Sequence, residues 1–227
     1  MAHLPIYIPT VFIITTFITL FMLFKAARYS KPVIIITLIW LTLQAMLGLA
    51  GFYQYTAGLP PRFALMLLPP VVFIILLFLL KPGRKAIDGF DVKTLTLLHT
   101  VRIVVELVLY ALYKHQAIPR VMTFEGRNFD ILCGLTAPFV YYFGYVKPVL
   151  SKKILLAWNI ICLLLLVNIA VIAVLSGPFS FQRLAFDQPD IALLYFPFVW
   201  LPGFIVPVVL FAHLSAIKLS TTAYDKR

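Results

Sequence analysis

The chain has 227 residues, 63% of them hydrophobic and 12% charged, with a mean hydropathy of +1.02. That is too little polar surface to coat a water-soluble globule, so the composition excludes a soluble enzyme or binding module and points to an integral membrane protein. The net charge of +11 does not require nucleic acid, because the cations sit in short loops between apolar runs, where anionic lipid headgroups account for them.

Seven apolar stretches are predicted as membrane spans, at residues 7–24, 33–54, 63–80, 94–113, 130–146, 154–175 and 192–214. They approach the roughly 20 residues a helix needs to cross a bilayer, and they lack the alternation of barrel strands. The expected fold class is therefore all-α, a polytopic protein with a single seven-helix transmembrane domain over 1–227. No Lys or Arg precedes the first stretch and no small-residue cleavage pattern follows it, so it reads as a retained helix rather than a signal peptide.

Assigning alternate loops to one side collects Lys25, Arg28, Lys31, Lys81, Arg84, Lys85, Lys93, Lys147, Lys152, Lys153, Lys218, Lys226 and Arg227 there. Arg62, Lys114, Arg120, Arg127 and Arg183 fall on the other side. By the positive-inside rule the first group is cytoplasmic, the N-terminus is outside, and the expected location is a plasma (inner) membrane.

The third stretch contains Pro69 and Pro70, and the seventh Pro197, Pro202 and Pro207. Each proline removes a backbone donor and frees a carbonyl, so kinks are expected there, with the freed carbonyls satisfied inside the bundle. A weak internal repeat is visible as well. Ser30-Lys31 and Ser151-Lys152 open outward-running spans, and Leu68-Pro69 and Leu201-Pro202 precede Leu77-Phe78 and Leu210-Phe211 at the same offset. This suggests a three-plus-one-plus-three plan with the fourth span as connector.

That fourth span carries the strongest functional signal. His99, Arg102, Glu106, Tyr110 and Tyr113 share one face of a helix advancing about 100° per residue. A charge at mid-membrane costs roughly 2.5 to 3.5 kcal/mol on insertion scales, so Arg102 and Glu106 must meet a partner or a cavity. Four residues apart, they are expected either to pair within the helix or to form part of a proton path. The protonation of Glu106 depends on both its burial and Arg102, and the sequence does not decide it.

Elsewhere the residues are plainer. His213 falls at a depth similar to His99, which raises haem or metal ligation as a weak cofactor reading. No further ligand spacing supports a metal. Cys133 and Cys162 read as buried packing residues, and Gln44, Asn159 and Asn168 as interhelical hydrogen-bond partners. In the outer loops, Glu125, Arg127, Asp130 and Asp187 are candidate contacts of a lid or docking surface, with Asp130 or Asp190 alternatively serving as helix N-caps. A retinal Schiff base is excluded by the lack of a mid-helix Lys in the last span, since Lys218 lies at its end. His-x-x-x-His, His-Glu-x-x-His and Gly-x-Ser-x-Gly motifs are absent.

The leading expectation is a transporter or permeation protein for a small solute, proton-coupled through His99, Arg102, Glu106 and Tyr110, rather than an enzyme, a question the sequence leaves open. The alternatives are an accessory or structural subunit of a larger membrane complex and an intramembrane haem or redox protein using His99 and His213. The leading reading needs no cofactor. Its partners are the lipid bilayer, a small solute or proton, and a second membrane protein or copy of the chain.

Overall fold

A computed structural model of the chain describes residues 4–58 and 60–222. Lys226 and Arg227, counted above among the loop cations, lie outside them. Among the described residues the fold is all-helical, without strands. In chain order the α-helices are α1 (Tyr7–Ala26), α2 (Lys31–Leu49), α3 (Ala64–Leu79), α4 (Lys81–Asp88), α5 (Val92–Leu98), α6 (Val101–Lys114), α7 (Ile131–Tyr141), α8 (Lys152–Ser176) and α9 (Val206–Thr222).

Five stretches are long and apolar enough to cross a membrane: Tyr7–Ala26, Lys31–Leu49, Val92–Lys114, Lys152–Ser176 and Leu201–Ser220. A sixth is added if α3 and α4, bent by 92°, form one broken span. The expected fifth span, 130–146, is a shorter apolar helix, Ile131–Val146, that ends in a π turn. The expected seventh span starts later than 192. Residues 192–200 hold only a 3-10 turn, and the helix sets in through a π turn at Leu201–Ile205, where Pro197 and Pro202 limit regular hydrogen bonding. The expected fourth span is interrupted at His99 and Thr100, where bonds tighten to three-residue spacing, as in Arg102 N–H to His99 O at 3.1 Å.

Local chemistry explains how polar groups survive in these helices. Thr15, Thr16 and Thr19 on α1 return their hydroxyls to carbonyls four residues earlier, at 2.8 to 3.0 Å. Asp91 caps α5 by accepting from Thr94 N–H at 3.2 Å, and Ser151 caps α8 by accepting from Ile154 N–H at 3.3 Å. Ser30 makes no such side-chain bond at α2, where Pro32 opens the helix instead. Pro207 cannot donate to Gly203 O, and the Trp40 indole N–H takes its place at 2.8 Å.

The helix containing the polar stripe is central. Val92–Lys114 and Leu201–Ser220 are each 61% buried along their apolar windows, against 17% for Lys31–Leu49 and 33% for Lys152–Ser176. Helix α1 packs along α5 and α6, α8 along α9, and α7 against both α5 and α6. Exposed Ile35, Ile39, Phe73, Leu76, Ile161 and Leu164 give the outer helices an apolar surface. At one end, Asp91 N–H donates to Ala26 O at 2.8 Å and Lys218 to Arg84 O at 2.9 Å. At the other, Ile191 and Ala192 N–H donate to Ala117 O at 3.2 and 3.0 Å.

Candidate functional site

The site begins with a glycine. A Cβ on Gly134 would lie 2.8 Å from Ile103 Cγ1 and 2.9 Å from Ile103 N, so only glycine lets α7 lie this close to α6. That approach brings Asp130, at the start of α7, to Arg102, the neighbour of Ile103.

The two form a bidentate ion pair. Arg102 Nε donates to Asp130 Oδ2 at 2.6 Å and Nη2 donates to Asp130 Oδ1. Arg102 is 2% exposed and Asp130 5%, which places the pair inside the bundle. Arg102 Nη1 also donates to His213 Nε2 at 2.9 Å, and Nη2 reaches Cys162 O at 3.4 Å. A guanidinium can only donate, so Nε2 of His213 is an acceptor and its Nδ1–H donates to Asn159 Oδ1 at 3.0 Å. Asn159 in turn donates to Leu155 O at 2.9 Å.

His99 stacks on His213 with ring centroids 3.8 Å apart and planes 16° from parallel. Trp158 stands edgewise to His99 at 5.6 Å and is held by its indole N–H on Thr136 Oγ1 at 2.9 Å. Both ring nitrogens of His99 are buried without a hydrogen-bond partner among the described residues.

Glu106, also 2% exposed, does not pair with Arg102. Its two carboxyl oxygens each accept from Asn128 Nδ2 at 2.7 Å, and that amide also donates to Met122 O at 3.0 Å. Asn128 Oδ1 accepts from Asp130 N–H at 3.0 Å. A hydrogen-bonded string therefore runs from Asn159 through His213, Arg102, Asp130 and Asn128 to Glu106. One turn further along α6, the half-buried Tyr110 donates to Glu125 Oε1 at 2.9 Å and stacks on Phe124 at 4.8 Å. From residue 99 to 113 the stripe rises about 21 Å at 1.5 Å per residue.

Several expectations change against this geometry. The intrahelical Arg102–Glu106 pair is replaced by Arg102–Asp130, because α7 brings a carboxylate with better bidentate geometry. Asp130 stands at the N-cap position of α7 but its side chain makes no cap bond, being committed to Arg102, and it is buried rather than part of an outer lid. Asp190 does act locally. Its carboxyl accepts from Leu193 N–H while Oδ1 has no partner, and burial pushes it up to about 8. Glu125 joins Tyr110, whereas Arg127 and Asp187 are exposed and line a shallow outer pocket with Arg120 and Gln188.

His99 and His213 do not fit a haem. Two axial imidazoles would aim nitrogens at an iron from opposite sides, but these rings lie face to face and both nitrogens of His213 are engaged within the chain. Asn128 and Trp158 were missed as site residues. The amide stood in the same loop as Glu125 and Arg127, but nothing local tied it to Glu106.

Residues 60–219 match a family described as a domain of unknown function (DUF8737). The chain belongs to this family. Within this DUF8737 protein the matched stretch runs from before α3 into α9 and contains every residue of the buried string. No curated protein and no solved structure matches the chain.

Proposed function

We propose that this protein moves a small solute across a membrane together with a proton, and that Glu106 is the proton site. One observation carries the reading. Glu106 is buried on the central helix against a neutral amide, while the nearby cation, Arg102, is already occupied by Asp130. A carboxyl placed this way can gain or lose a proton without dismantling an ion pair, and intramembrane acids of this kind belong to proton relays.

The reading includes seven crossings, two of them through the shorter helices α3 and Ile131–Val146. It also includes an outside N-terminus, a cytoplasmic C-terminus, a plasma (inner) membrane location and the three-plus-one-plus-three repeat. It is supported by the uneven split of loop cations and by Ala26, Arg84, Asp91 and Lys218 meeting at one end of the bundle. Arg102 and Glu106 find partners inside the chain, and for that reason transport is preferred to the accessory-subunit reading.

The test is reconstitution into liposomes enclosing a pH-sensitive dye, with Glu106→Gln beside the wild type. Wild-type vesicles are expected to acidify under an inward proton gradient even before solute is added, by uncoupled proton passage through the site, and the variant to lose that flux while keeping its helical content. Equal flux from both would remove Glu106 from the mechanism.

A further inference from the structure

An apolar groove of about 380 Å³ lies between α2, α3, α4 and α9, away from the buried string. Its walls include Trp40 and Thr37 on α2, Phe73 on α3, Ala86 on α4, and Gly203 and Phe211. The polar atoms in these walls are already used. The Trp40 indole N–H is bonded to Gly203 O at 2.8 Å and the Thr37 hydroxyl to Val33 O at 2.8 Å. The groove therefore offers a ligand carbon surface alone, which suits a hydrocarbon chain and not a polar solute.

One end of the groove is built by α4. This helix folds back under α3 at 92°, and the turn is tight enough that a Cβ on Gly83 would collide with Leu77 O. Gly83 and Ile87 face inward, while Lys81, Arg84 and Lys85 are exposed and have no ion-pair partner among the described residues. A short helix with an apolar inner side and a cationic outer side, set across the end of a membrane helix, has the character of an interfacial helix.

We propose that the groove binds one acyl chain of a membrane phospholipid with an anionic headgroup, the headgroup resting on Lys81, Arg84 and Lys85. The charge supplies the preference, because cations at the membrane surface attract anionic lipids. This rests only on the chain lying in a bilayer and is independent of transport.

The test uses the whole protein in nanodiscs of equal parts phosphatidylglycerol and phosphatidylcholine, released in a native mass spectrometer. Wild type is expected to retain one lipid, phosphatidylglycerol over phosphatidylcholine by about tenfold. A triple variant, Lys81→Gln, Arg84→Gln and Lys85→Gln, is expected to keep a lipid and lose the preference. Ala86→Trp, which fills the groove at an exposed position, is expected to lose the lipid, and Thr37→Phe serves the same end from α2. Equal retention of the two lipids by wild type would overturn the proposal. So would phosphatidylglycerol binding untouched by all three variants, or a second copy of the chain occupying the groove.

Discussion

At the scale of single residues, the decisive contacts join positions far apart in sequence. Arg102 and Glu106 were legible because charges inside an apolar run are expensive, but Asp130 lies 28 residues from Arg102 and resembled an ordinary N-cap. Breaking this buried pair should be costly. Asp130→Asn leaves Arg102 uncompensated and is expected to lower stability by about 3 to 5 kcal/mol, whereas Arg102→Met with Asp130→Leu should recover most of it. Unfolding of the detergent-solubilised variants checks both. Asp190 gives a pH signature. Its carboxyl is held at about 8 when folded, against about 3.9 in an unfolded chain. The folded state therefore binds the extra proton between these values, and stability falls as pH rises through that window and levels above it. Asp190→Asn should remove the slope, so its melting-temperature advantage over wild type widens from about pH 5 to about pH 8. A constant gap would show that Asp190 does not titrate there.

At the scale of elements, the prolines were visible in the sequence but their remedies were not. The Gly203 carbonyl freed by Pro207 meets Trp40, 163 residues away in sequence. Trp40→Phe should cost about 1 to 3 kcal/mol by orphaning that carbonyl. In a Pro207→Ala background, where residue 207 regains its own N–H, the same change should cost less, and a thermal-unfolding double-mutant cycle measures the difference. Helix α6 meets α7 through Gly134, a residue indistinguishable by sequence from any glycine of an apolar helix. Gly134→Leu should push α7 from Ile103 and separate Asp130 from Arg102, lowering the melting temperature more than Leu at exposed Phe139. The break at His99 was also hidden, because apolar periodicity continues on both sides of it.

At the scale of the whole molecule, composition and run length disclosed an all-helical chain with apolar helices of membrane-crossing length, and apart from the cationic α4 the helices fall where the apolar runs lie. Their ends were less legible. Residues 192–200 are as apolar as a span, yet prolines keep them from joining α9. Whether the stripe faced inward was equally invisible, since amphipathicity shows that a face is polar and not what it meets. The structure turns it into the bundle, which makes Glu106 the centre of the functional proposal. Infrared difference spectroscopy of the membrane-reconstituted protein, recorded while the pH is stepped, reads that group directly. The expected result is a carboxylic-acid carbonyl band that changes with pH, disappears in Glu106→Gln and persists in Asp190→Asn. A pH-dependent spectrum that Glu106→Gln leaves unaltered would contradict the assignment of the proton to Glu106.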